Sequence, residues 1–100
     1  MIQRKTEFQI EIINKLKELR HSGNISQAQI CEIIGINSLG QIGNIESPRF
    51  KHKYTLKQIY LLANYFKYPF EKIFLTDLEL EKSKDEVINI LILKLIAYEN

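Results

Sequence analysis

A Ser or Thr followed three positions later by Gln or Glu precedes a helical run at Thr6 and Gln9, Ser26 and Gln29, Thr55 and Gln58, and Ser83 and Glu86. In that spacing the hydroxyl accepts from the main-chain N–H of the third helical residue while the longer side chain reaches back to the N–H of the cap. Two otherwise orphaned donors are satisfied at once, and a helix starts. Four such starts in 100 residues leave little chain for anything but helices. The lack of Asn-Gly and Asp-Gly turns and of alternating apolar runs argues against strands. Only two prolines and four glycines argue against a disordered or collagen-like chain. The expected fold is all-α.

The apolar residues after each start follow helical spacing. Phe8, Ile12, Leu16 and Leu19 form one stripe with Ile13 beside it, opposite Lys15, Lys17, Glu18 and Arg20; Gly23 is expected to end this helix in the left-handed conformation. Ile30, Ile33 and Ile34 lie on one face of a helix beginning at about Gln27, and Gly35 can turn left-handed to stop it. A further short pattern follows at once, with Ile42 and Ile45 on one side, Gln41 and Asn44 on the other, and Pro48 as terminator. Leu56, Ile59, Tyr60, Leu62, Ala63 and Phe66 form the next buried stripe, which Tyr68-Pro69 ends. Residues 70–74 give a short fifth helix with Phe70, Ile73 and Phe74 turned inward. Two helices as short as those around Gly35, with so tight a turn between them, carry a helix-turn-helix signature, whose second helix can be presented to a major groove.

The residues Ser26-Gln27, Gln29-Ile30-Cys31, Gly35, Ile42 and Ile45-Glu46 resemble the XRE family, the Cro- and phage-repressor-like helix-turn-helix regulators. The resemblance runs from Ile12 to Phe74. It implies a five-helix repressor-like DNA-binding domain, a Gln27 that contacts the DNA backbone, and a Glu46 that holds helix ends together rather than facing DNA. It also places Cys31 at the family's small-residue position, where two helices approach closely. The chain departs from the family's pattern at Ser47-Pro48, in one additional residue between Gly35 and Ile42, and in the two glycines, Gly40 and Gly43, of the recognition helix. Each glycine costs roughly 1 kcal/mol against alanine inside a helix, so that helix is expected to form weakly until something binds it.

Charge is distributed to match. Residues 1–76 hold eleven Lys/Arg against six Asp/Glu, and residues 77–100 hold three against six. The first part suits a polyanion and the second does not. The loop Ser47-Pro48-Arg49-Phe50-Lys51-His52-Lys53-Tyr54 carries Arg49, Lys51 and Lys53 with no acid among them, as expected of a segment lying on phosphates beside a groove. By role, Gln27 and its helix-terminal N–H groups suit a phosphate. Asn37 or Ser38 caps the recognition helix and faces the groove with its first turn. Gln41 and Asn44 have amides able to bond adenine in a bidentate manner. Leu39 can touch a thymine methyl, and Gly40 with Gly43 can let the backbone come close to a duplex. With no arginine in that helix, specificity is expected to be modest or to rest on DNA shape.

Residues 77–82 read as a charged connector between a domain at 1–76 and a last helix. That helix, Val87 to Tyr98, is apolar nearly all round. A surface helix of a small domain hides only one face, so this one is expected to pack on its own domain and to pair with a second copy, giving a homodimer. At twelve residues, with Asn89 and Lys94 among them, it is too short for a bilayer, which needs about 20. No secretion signal is expected, and the lone Cys31 fits a reducing cytoplasm.

An enzyme is not expected. His21 and His52 show no metal-ligand spacing, Cys31 has no Cys or His partner nearby, and Gly35, Gly40 and Gly43 do not form a phosphate loop. No cofactor, metal or small-molecule ligand is called for. The alternative to a DNA-binding regulator is a protein-interaction module that keeps the helix-turn-helix as scaffold and recruits a different protein through the apolar last helix.

Overall fold

The computed structural model describes residues 4–100. Among them are seven helices and no strand: α1 (Glu7–Ser22), α2 (Gln27–Ile34), α3 (Leu39–Glu46), α4 (Leu56–Phe66), α5 (Phe70–Phe74), α6 (Asp77–Leu80) and α7 (Lys84–Glu99). The reciprocal caps form at Thr6/Gln9, Ser26/Gln29 and Thr55/Gln58. A further reciprocal cap, Thr76/Glu79, opens α6, so the segment read as a connector is partly helical. At the start of α7 the pairing is one-sided. Ser83 Oγ accepts from the Glu86 N–H, but the Glu86 carboxylate takes the Ser83 hydroxyl rather than the main chain.

Helix ends follow the same local chemistry, with one change of residue. Asn24, not Gly23, takes the left-handed conformation (φ 55°), and Gly23 stays at φ −91°. The Ile25 N–H then reaches the Arg20 carbonyl at 2.9 Å, a six-to-one closure that glycine usually makes and asparagine sometimes does. Gly35 does turn left-handed, at φ 74°. At the end of α4 it is Lys67 that does so, at φ 55°, one residue before Tyr68-Pro69.

The core is built where the stripes meet. Ile12, Ile13 and Leu16 of α1 join Ile30, Cys31 and Ile34 of α2, Ile42 and Ile45 of α3, Ile59, Leu62 and Ala63 of α4, and Ile73 and Phe74 of α5. α2 packs on both α3 and α4, while α1 packs on α3 and α5. Tyr60, expected in the α4 stripe, is instead 53% exposed and stands edge-on to Phe70 at 6.1 Å.

α7 lies against α5, α1 and α6. Its inner side is Val87, Ile90, Leu91, Leu95 and Tyr98, and Tyr98 is 1% exposed and meets Phe74 edge to face at 5.9 Å. The opposite side leaves Ile88, Ile92, Leu93 and Ile96 in solvent. No helix among the described residues is long and apolar enough to cross a membrane.

Candidate nucleic-acid interface

α3 hides Ile42, Ile45 and Glu46, and at 100° per residue the face opposite that seam carries Gly40 and Asn44, flanked by Gln41 and Gly43. Gln41 is exposed and Asn44 half-exposed, while Asn37, Ser38 and Leu39 lie exposed just before and at the helix start. Ser38 occupies the cap position, yet neither its side chain nor any other makes a cap bond there. α3 is thus held by its neighbours rather than by its own ends.

The strongest of these holds comes from Arg20, at the end of α1. Its Nε lies 2.7 Å from Glu46 Oε2, its Nη2 donates to Glu46 Oε1 at 2.9 Å, and its Nη1 donates to the Ile25 carbonyl at 3.0 Å. Gln27 Nε2 donates to the same Glu46 Oε1 at 3.0 Å. One carboxylate, 8% exposed, therefore ties the end of α1, the start of α2 and the end of α3. A planar guanidinium fork matched to two carboxylate oxygens is the geometry in which such a tie is both strong and directional. Gln27 is consequently half-buried and committed through one amide N–H.

The turn between α2 and α3 is closed by Cys31, whose Sγ donates to the Ser38 carbonyl at 3.5 Å. Behind it, Tyr54 is 2% exposed and its phenol is pushed far above its ordinary pKa, chiefly by burial and then by the Glu46 carboxylate.

Gly40 and Gly43 are not demanded by packing. A Cβ at Gly43 would meet nothing within 4 Å, and one at Gly40 would meet only Ser38 Oγ at 3.9 Å. Neither has positive φ. The outward face of α3 is therefore flattened where the fold would accept side chains.

The loop after α3 exposes Arg49 and Lys51. Lys53 is placed differently from expectation: its Nζ donates to the carbonyls of Tyr98 and Glu99, both at 2.9 Å, at the end of α7. The end of α7 is fixed further by Gln9 Nε2 on the Tyr98 carbonyl at 2.6 Å and by the Tyr98 hydroxyl on the Tyr54 carbonyl at 2.7 Å. Arg4, which sequence reasoning passed over, shares with Lys51, Lys53, Gln9 and Asn100 the lining of a cavity of about 340 Å³. A second cavity of about 420 Å³, between α1 and α5, mixes Lys15 and Lys72 with Glu18 and Asp77 and favours neither sign of ligand.

Among the described residues no group of three or more His, Cys, Asp or Glu is placed to hold a metal ion. Comparisons of the chain with protein-family models, with curated proteins and with solved structures find no match.

Proposed function

We propose that the chain is a repressor-like helix-turn-helix regulator that binds double-stranded DNA by lying α3 in the major groove. The observation that carries this reading is the makeup of α3: apolar and anchored inside, amide-bearing and glycine-flattened outside, with exposed cations following it. Two glycines that the fold does not need on an outward helix face make sense when another surface must come close. Gln41 and Asn44 supply paired donors and acceptors to base edges. Arg49 and Lys51, joined by Arg4, neutralise phosphates and set the position of the helix along the duplex. The protein acts by occupying a site, without catalysis.

A titration against mixed duplex DNA at rising salt tests this. Log affinity should fall linearly with log salt, by about 0.9 in slope for each phosphate neutralised. A folded protein that binds no duplex at any salt overturns the reading.

The outward side of α7 supports a homodimer, the arrangement in which two recognition helices address successive major grooves. Ile88, Ile92 and Ile96 are about half exposed and Leu93 about two-thirds, and covering them should yield roughly 1 kcal/mol apiece. The same stripe is the observation that favours the second reading, a module that recruits a different protein. Replacing Gln41 and Asn44 by alanine separates the two: a DNA regulator loses base preference with fold and assembly intact, whereas a recruitment module loses nothing.

A further inference from the structure

α3 is short, holds two glycines and has no side-chain cap at its start. Nor does its last turn contain a basic residue, so its final carbonyls need a partner from elsewhere. That partner is Lys5, which precedes α1 in the chain. Its ammonium donates to the carbonyl oxygens of Ser47 at 2.7 Å, Asn44 at 3.3 Å and Phe50. An ammonium has three N–H donors, and here all three are spent on main-chain oxygens. At 7% exposure the residue is also withdrawn from solvent. Lys5 is therefore not one of the cations available to a phosphate.

The three acceptors belong to different parts of the interface. Asn44 lies on the outward face of α3, Ser47 is its terminal cap, and Phe50 sits in the loop between Arg49 and Lys51. One buried charge thus fixes the distance between the amides that face bases and the cations that face phosphates. Its position at the negative end of the α3 dipole adds to the hold. We infer that Lys5 is a positioning residue for DNA recognition, a buried ammonium that sets the register of the recognition helix against the loop following it without touching DNA.

This inference rests on the DNA-binding reading, and its test contains a measurement that does not. Amide hydrogen exchange and duplex affinity are compared for the unaltered protein, Lys5→Met and Lys5→Arg. In Lys5→Met, exchange at Gly43 to Ser47 should accelerate roughly tenfold or more while the Ile12 to Leu16 amides keep their rates, since local opening is independent of global unfolding. Affinity should fall roughly tenfold with the salt slope unchanged, because no phosphate contact is lost. Lys5→Arg should rescue neither, since a planar guanidinium cannot aim three donors into one carbonyl cage. Full rescue by Lys5→Arg, a salt slope lower by about one contact, or unchanged exchange in α3 each overturns the inference. If Lys5→Met does not fold, the Lys5→Arg comparison decides by itself. If the unaltered protein binds no duplex, the DNA reading fails, and the exchange pattern still shows whether Lys5 latches α3.

Discussion

The Lys53 ammonium donates to the Tyr98 carbonyl oxygen at 2.9 Å and lies 5.3 Å from the centroid of the same residue's ring. A side chain from the basic loop is thereby spent on the end of α7, where the helix dipole favours a cation. The loop's cations are not equivalent. Arg49→Ala and Lys51→Ala should each lower the salt slope of duplex binding by about 0.9. Lys53→Met should leave the slope nearly unchanged and instead cost about 1–2 kcal/mol of stability, as expected for losing charge-assisted bonds at a partly exposed site. Salt titrations and thermal melts of the three variants check this.

Arg20 and Glu46 form a pair withdrawn from water, with side chains 12% and 6% exposed. Removing one partner strands the other charge, so Arg20→Ala and Glu46→Ala should each destabilise by about 3–5 kcal/mol. The double variant should be less destabilised than the sum of the two single ones. Urea unfolding of all four proteins measures the coupling.

Gly43→Ala separates stability from recognition. The added methyl meets no atom within 4 Å, so the helix should gain up to about 1 kcal/mol from the better helix former. If α3 lies against a duplex, the same methyl obstructs close approach and affinity falls while the melting temperature rises. A variant that is stabilised and binds undiminished would show that this face does not meet DNA closely.

Glu79 links α6 to α7. The Thr76 N–H, 2.9 Å from its Oε1, holds its carboxyl below the usual carboxylate range; burial pushes upward by less than that bond pulls down, and the Lys94 ammonium, 3.6 Å from Oε2, adds a smaller downward pull. The unfolded chain binds that proton more readily, so the stabilisation is complete above the ordinary carboxylate pKa and is lost as pH falls through the lowered folded value. Glu79→Gln, which keeps an acceptor for the cap but carries no charge, should flatten this part of the acid dependence. Melts from about pH 7 downward compare the two.

What the chain disclosed in advance was local. The caps at Thr6, Ser26 and Thr55 need residues only three apart, and the inward faces of α1 to α4, with Tyr60 as the exception, follow from spacing within one helix. Asn24 and Gly23 were interchangeable to such reasoning, since both residue types tolerate the left-handed region. The Thr76/Glu79 start escaped notice because no long apolar run follows it. Lys5 and Lys53 were out of reach for a different reason. Their acceptors are main-chain oxygens 39 to 46 positions away, and a carbonyl leaves no trace in residue identity. α7 shows the same limit: an evenly apolar helix does not declare which side will face its own domain.

The sole thiol of the chain, Cys31, is 7% exposed and closes the α2–α3 turn through the Ser38 carbonyl. An alkylating reagent can reach that sulfur only after the turn has lifted, so labelling would proceed at the pace of the opening. No engineered tag is required to time it. The molecule carries a built-in stopwatch beneath α3, and any ligand that clamps that helix should slow it.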